Sequence, residues 1–215
     1  MFSEDYLLRI IRQATAVFAR IIGLKSTGQY QEALKVIDQT LEQLLGLDAE
    51  MIGLLDDESV YLLLMKNEVL DLEKLGFIAD LFKEKGDIKK LQDQIDESIN
   101  CYIRSLNYYL MIGINSETSR PVELSPKIEE LLQQLDTYNF NEQTLLNLYS
   151  YYENAREFAK ADNILSRLAA QNDSKAYAAD EMKSFYKRLL EKDPKELAAG
   201  GMSQTQIRNK LKELE

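Results

Sequence analysis

Apolar residues recur at three- and four-residue steps along most of the chain, and few residues interrupt the backbone that carries them. Leu7, Ile10, Ile11, Ala14, Val17, Phe18, Ile21 and Ile22 set the pattern at the start. At 3.6 residues per turn, that spacing predicts an amphipathic helix with one broad apolar face. Ser3 is its expected N-cap, and Glu4 and Asp5 fall in the first turn, where acids favour the helix dipole. With only three prolines and nine glycines in 215 residues, long helices are the natural use of such a chain. The expected fold class is all-α.

The same reading continues downstream. Residues 26–29 (Ser-Thr-Gly-Gln) break the first helix, and Tyr30, Ala33, Leu34, Ile37, Leu41, Leu44 and Leu45 restart the pattern. So short a loop makes the pair antiparallel. Gly46 and Gly53 flank a short helical piece, and Asp56-Asp57-Glu58 reads as an acidic helix start. Val60, Leu63 and Leu64 lead into a helix that either runs unbroken or bends near Asp71. Leu75, Ile78, Ala79 and Phe82 carry it to an expected end at Gly86-Asp87, with a long helix over 88–112 after it.

Gly, Asn, Ser, Thr and two prolines over 113–126 read as a linker, with Ser125 as N-cap and Pro126 at the first helical position. Helices are then expected to about 135, over 142–154 and 157–171, from 173 or 174 to 191, and after Pro194. Gly200-Gly201 sets off a last amphipathic helix with a Ser203/Gln206 capping box and an apolar stripe of Ile207, Leu211 and Leu214. The expected organisation is a helical-repeat region over 1–112, a linker over 113–126, helix hairpins over 127–199 and a hinged helix over 200–215. Together they read as one continuous superhelical domain.

Three stretches are similar to tetratricopeptide repeats, in which small residues let paired helices approach and aromatics fill the wedge between pairs. They are TGQYQEALKVIDQTLEQLL (Gly28, Tyr30, Ala33, Ile37, Leu41), IADLFKEKGDI (Ala79, Phe82, Gly86, Ile88) and LYSYYENAREFAKADNILSRL. The last carries Leu148, Tyr152, Phe158, Ala161, Leu165 and Leu168, with Arg156 where the turn glycine would stand. The second continues into ESINCYIRSL only with about two helical turns inserted after Ile88. The repeat pattern implies a tetratricopeptide-like α-α superhelix of antiparallel hairpins. The opening MFSEDYLLRIIRQ also resembles a family of uncharacterised bacterial proteins with a tetratricopeptide-like body. Met1, Phe2, Glu4, Asp5, Tyr6, Arg9, Ile11, Gln13 and the Gln-Tyr-Gln-Glu-Ala turn carry that resemblance over roughly the first 110 residues. It implies a fold and no activity.

Chemistry is narrowed by what the chain lacks. With no histidine, Ser-His and Cys-His dyads and histidine-containing zinc sites are excluded. One cysteine, Cys101, makes neither an intramolecular disulfide nor an all-thiolate metal site, and fits a reducing cytoplasm. A net charge of −10 repels phosphate backbones, arguing against nucleic acid, and the opening reads as neither signal peptide nor membrane span. Carboxylates such as Asp56, Asp57 and Glu58 are the remaining catalytic route, but adjacent acids at helix starts read as caps.

The expectation is therefore a cytoplasmic, non-enzymatic scaffold with no cofactor and no metal. It would bind a protein or peptide, or itself as a homo-oligomer, and neither nucleic acid nor membrane. The alternative is a regulatory helical domain sensing a small molecule between helices. Arg9, Arg12 and Arg20 are candidate partner contacts, because guanidinium forks suit carboxylates and phosphates; the plainer reading pairs them with glutamates of the second helix. Among twelve tyrosines, most are expected to be packing wedges. Tyr151 is the candidate for a spare, partner-facing one, since Leu148 and Tyr152 already account for the inward face.

Overall fold

The computed structural model describes residues 4–116, 120–171 and 175–214 and, for 120–123 and 175–177, the backbone alone. Its elements in chain order are α1 (Glu4–Ser26), α2 (Tyr30–Leu45), α3 (Ala49–Leu54), α4 (Asp57–Leu64), β1 (Met65–Lys66), β2 (Val69–Leu70), α5 (Leu72–Leu91), α6 (Ile95–Asn115), α7 (Arg120–Gln134), α8 (Glu142–Asn154), α9 (Phe158–Ala169), α10 (Lys175–Leu190), α11 (Pro194–Ala199) and α12 (Gln204–Glu213). Among the described residues the protein is all-α apart from one hairpin of two-residue strands. The expected cap Ser3 and the expected helix start at 173 or 174 lie outside the described residues.

Polar side chains at the helix starts explain many boundaries. Asp48, Asp56, Asp71 and Asn141 each accept a hydrogen bond from a backbone N–H of the first turn that would otherwise lack a partner. Ser203 and Gln206 form the reciprocal box expected of them.

The chain forms two compact units, the first from the described residues of Met1–Asn115 and Pro126–Asp136, the second from those of Ser116–Ser125 and Thr137–Glu215. In the first, α5 and α6 make the most extensive pairing, with α2 and α1 packed on α5. Leu75, Ile78, Leu81, Leu106 and Leu110 are wholly buried at its centre. In the second, α8 packs on α9, α9 on α10, and α12 on α10.

Four details depart from the sequence reading. The helix over 60–82 is broken by β1 and β2, which pair Met65 with Leu70 around a turn in which Asn67 and Glu68 both take positive φ. Such a turn matches the right-handed twist of a two-residue hairpin. Second, α5 runs through Gly86 to Leu91, and the chain reverses at Asp93, whose φ is 59°. Gly86 is a crossing point: a Cβ there would lie 2.6 Å from the Tyr102 ring. Third, Pro126 sits inside α7, not at a helix start.

Fourth, Gly200 is closely packed. A Cβ on it would meet the Phe158 ring at 2.2 Å and the Arg156 carbonyl at 2.5 Å, and its own carbonyl accepts from the Ala159 N–H at 2.9 Å. The helix after it folds onto its own chain, with Ile207 buried and Lys210 paired to Asp162 at 2.9 Å.

The candidate binding surface

α1 has more apolar surface than its neighbours cover. Ile10 and Ile21 turn inward, about 20° apart on the helix, and are its buried residues. Phe18 reaches the Phe77 ring, with centroids 5.5 Å apart. About 100° round the helix from the buried pair runs a second ridge. Its Leu8, Ile11 and Ile22 are 45%, 54% and 54% exposed. With Thr15 and Phe18 this ridge follows steps of three, four, three and four residues, the seam spacing of helices that pack on another helix.

At its C-terminal end the ridge runs into a cleft of about 330 Å³, lined by Phe18 and Ile22 of α1, Asp80, Lys83 and Glu84 of α5, Tyr109 of α6, and Lys127 and Glu130 of α7. The floor is apolar and the rim alternates in charge. Each cation of the rim is neutralised: Lys83 contacts Glu130 at 2.9 Å and Asp87 at 3.1 Å, and Lys127 contacts Asp80 at 2.7 Å. The Lys127 ammonium also lies 5.0 Å above the Tyr109 ring. Just outside the cleft, Lys25 ties α1 to Glu84 at 2.6 Å. Burial pushes Lys83 down, but its bonds to Glu130 and Asp87 outweigh this and hold its ammonium above the ordinary lysine range. A lysine held charged in this way is no nucleophile. A second, wider depression between α2 and the α5–α6 pair is predominantly polar, with Lys85 paired to Asp38 and Lys89 to Glu97.

Tyrosines do structural work through their hydroxyls. Tyr102 donates to Asp87 at 2.9 Å, Tyr149 to Glu181 at 2.7 Å and Tyr186 to Asp162 at 2.5 Å, while Tyr109 donates to Asp80 and Tyr6 to Asp71. Burial, then the adjacent carboxylate, pushes each phenol above its ordinary value, Tyr6 to about 12. Tyr108 instead accepts from Arg104 at 2.9 Å, whose guanidinium lies 4.3 Å over Phe82. These bonds satisfy polar tips inside an apolar interior.

Arg9, Arg12 and Arg20 are all exposed on α1, and none lines the cleft. Arg9 stacks 5.4 Å over Tyr6. Among the described residues, none of the three makes an ion pair, so the pairing with second-helix glutamates does not form there. Tyr151 corrects the sequence reading: it is 1% exposed. α8 buries Thr144, Leu145, Leu148, Tyr149, Tyr151 and Tyr152, which is more than one face, so Leu148 and Tyr152 do not exhaust its inward side. Cys101 is buried, and burial raises its thiol.

Two of the acids weighed for catalysis, Asp56 and Asp57, serve structure. Asp56 caps α4, and that bond to Ser59 lowers its carboxyl. Asp57 accepts from Asn107 at 2.7 Å and lies 3.4 Å from Arg104. Among the described residues, no cluster of three or more possible ligands could hold a metal ion, and no helix is long and apolar enough to cross a membrane.

The seam itself escaped the sequence reading, which placed Ile11 and Ile22 on the same face as Ile10 and Ile21. The three-four spacing was the signal that could have separated the two ridges. Against known proteins, no curated protein and no solved structure matches this chain. A family model matches it over residues 1–215, and the chain therefore belongs to the family described as Family of unknown function (DUF6483).

Proposed function

We propose that this chain is a non-enzymatic, peptide-binding scaffold of tetratricopeptide-like build. Its docking surface is the α1 ridge together with the cleft at its end. One observation carries the reading: α1 leaves a row of apolar side chains, Leu8, Ile11 and Ile22, in water beside a concave apolar floor, whereas the exposed Leu91 and Ile95 of α5 and α6 sit at the reversal between those helices. Contiguous exposed apolar surface rimmed by polar groups is what interaction sites present. The repeat-like architecture is supported by short reversals between α5 and α6 and between α8 and α9. A residue other than glycine, Asp93 or Arg156, takes the left-handed turn position in each.

The partner this surface suits is a segment with apolar residues at helical spacing, one of which fills the cleft. Arg12 follows Ile11 directly and stands beside the ridge, so an acid on the partner's flank gains a charge-assisted contact there. Arg9 and Arg20 lie further round α1 and contribute to attraction at a distance. Such a scaffold works in the cytoplasm, on proteins and not on nucleic acid or membrane. Panning a displayed random-peptide library on the full chain tests this. Selected peptides bind Ile22→Asp at least about tenfold more weakly than wild type, the loss expected when a central apolar contact of roughly 1.4 kcal/mol disappears. Peptides indifferent to that substitution contradict the site.

The cleft volume supports a second reading, a small-molecule sensor, since ligand pockets begin at roughly 300 Å³. A metabolite that raises the thermal midpoint of wild type but not of Ile22→Asp would favour it.

A further inference from the structure

We infer that the α1 seam docks a second copy of this chain, antiparallel and about a two-fold axis. The inference rests on the reading of α1 as a binding surface and names its partner.

The seam is self-complementary. Two exposed knobs, Leu8 and Ile11, stand toward one end, and the cleft formed with Phe18 and the equally exposed Ile22 lies at the other. From Leu8 to Ile22 the helix rises about 21 Å. When a second α1 lies antiparallel across the first, the knobs of each copy meet the cleft end of the other, and both contacts form at once. That is the isologous pattern of a closed dimer, in which one patch serves both subunits. In seam register, Ile11 faces Ile22 of the second copy and Thr15 faces its Phe18.

Charge selects the direction. Extending the three-four spacing brings Glu4 into the seam at one end and Lys25 at the other. A parallel pair stacks Glu4 on Glu4, a like-charge contact with no compensation across the seam. The antiparallel pair separates the two glutamates by the length of the seam, while Lys25 at the far end stays neutralised by Glu84 and Asp87 of its own chain. Beside the seam, Arg12 then faces Ala19, so no like charges oppose each other there.

The α3–α4 region is a rival surface, because Leu54, Leu62 and Leu63 are also exposed. It has no cleft beside it among the cavities described above and no seam spacing, and it serves as the control.

Sedimentation velocity of the full chain from about 1 to 100 μM tests the inference. Wild type shifts from the chain mass toward twice that mass. Ile11→Asp and Ile22→Asp each weaken the shift at least tenfold while keeping the wild-type far-ultraviolet circular dichroism, and Leu62→Asp leaves it unchanged. In a Cys101→Ser background, mixing Ile11→Cys chains with Ile22→Cys chains gives a disulfide-linked pair on oxidation, whereas Ile22→Cys alone does not. A wild type that stays monomeric at 100 μM overturns the inference, as does a dimer lost through Leu62→Asp or one that cross-links through Ile22→Cys alone. Peptides from the panning experiment that still depend on Ile22 in a strictly monomeric wild type leave the binding surface standing and remove only self-docking.

Discussion

α1 and α6 are nearly equal in length, 23 and 21 residues, and both carry broad apolar faces, yet two residues of α1 are buried against eleven of α6. α6 lies along α5 closely enough that Gly86 must lack a side chain, and Ser98 and Ser105 donate to backbone carbonyls of α5 at 2.9 Å and 2.8 Å. α1 touches α2 and α5 along one ridge and leaves Leu8, Ile11 and Ile22 of the next ridge half in solvent. The difference separates apolar surface spent on the core from apolar surface kept for something else. Periodicity reports the first requirement and is silent on the second.

Substitutions should rank accordingly. Leu106→Ala opens a cavity at the α6 core, where Leu106 is wholly buried, and should cost about 2–5 kcal/mol by urea unfolding. Gly86→Ala drives a methyl into the Tyr102 ring and should cost about 1–3 kcal/mol; a neutral result would break the account of the crossing. Tyr102→Phe removes the bond to Asp87 and should cost about 1 kcal/mol.

The tyrosines also set a pH limit. The folded values of Tyr6, Tyr102, Tyr109, Tyr149 and Tyr186 stand above the ordinary phenol value of about 10, Tyr6 at about 12. The folded state therefore holds phenol protons that the unfolded chain releases, so their contribution is full below pH 10 and is lost as pH rises toward 12 and beyond. Urea midpoints measured upward from pH 9 should fall, and Tyr6→Phe should shallow the decline between pH 10 and 12. The smallest effect belongs to α1: Ile11→Asp, on a residue already half in water, should change dilute-solution stability by less than about 0.5 kcal/mol.

Helix class and many boundaries were legible in the sequence because capping residues and periodicity agreed there. Asn141 opens α8, Asp193 opens α11, and Arg156 holds the turn position between α8 and α9. The α5–α6 reversal was not, because glycine serves two purposes: at Gly86 it permits close approach, while the turn itself falls on Asp93, a residue that tolerates positive φ without advertising it. The β1–β2 hairpin was hidden for a similar reason, since Asn67-Glu68 lacks the glycine that marks such turns. The burial of Tyr151 is not legible in the sequence, because periodicity on α8 identifies one inward face while the helix is covered on more than one. The α1 seam was visible as apolar residues but not as exposed ones, because exposure depends on which helices come to lie against it.

The central claim, that the α1 ridge serves self-association and not the core, is tested most directly by the thermal midpoint as a function of protein concentration for wild type and Ile22→Asp. Anything that binds only the folded state raises the midpoint by mass action. The account predicts that wild type rises with concentration, and that Ile22→Asp stays flat at the value wild type reaches on dilution. A wild-type midpoint that does not move with concentration, or an Ile22→Asp midpoint well below wild type even in dilute solution, would contradict it.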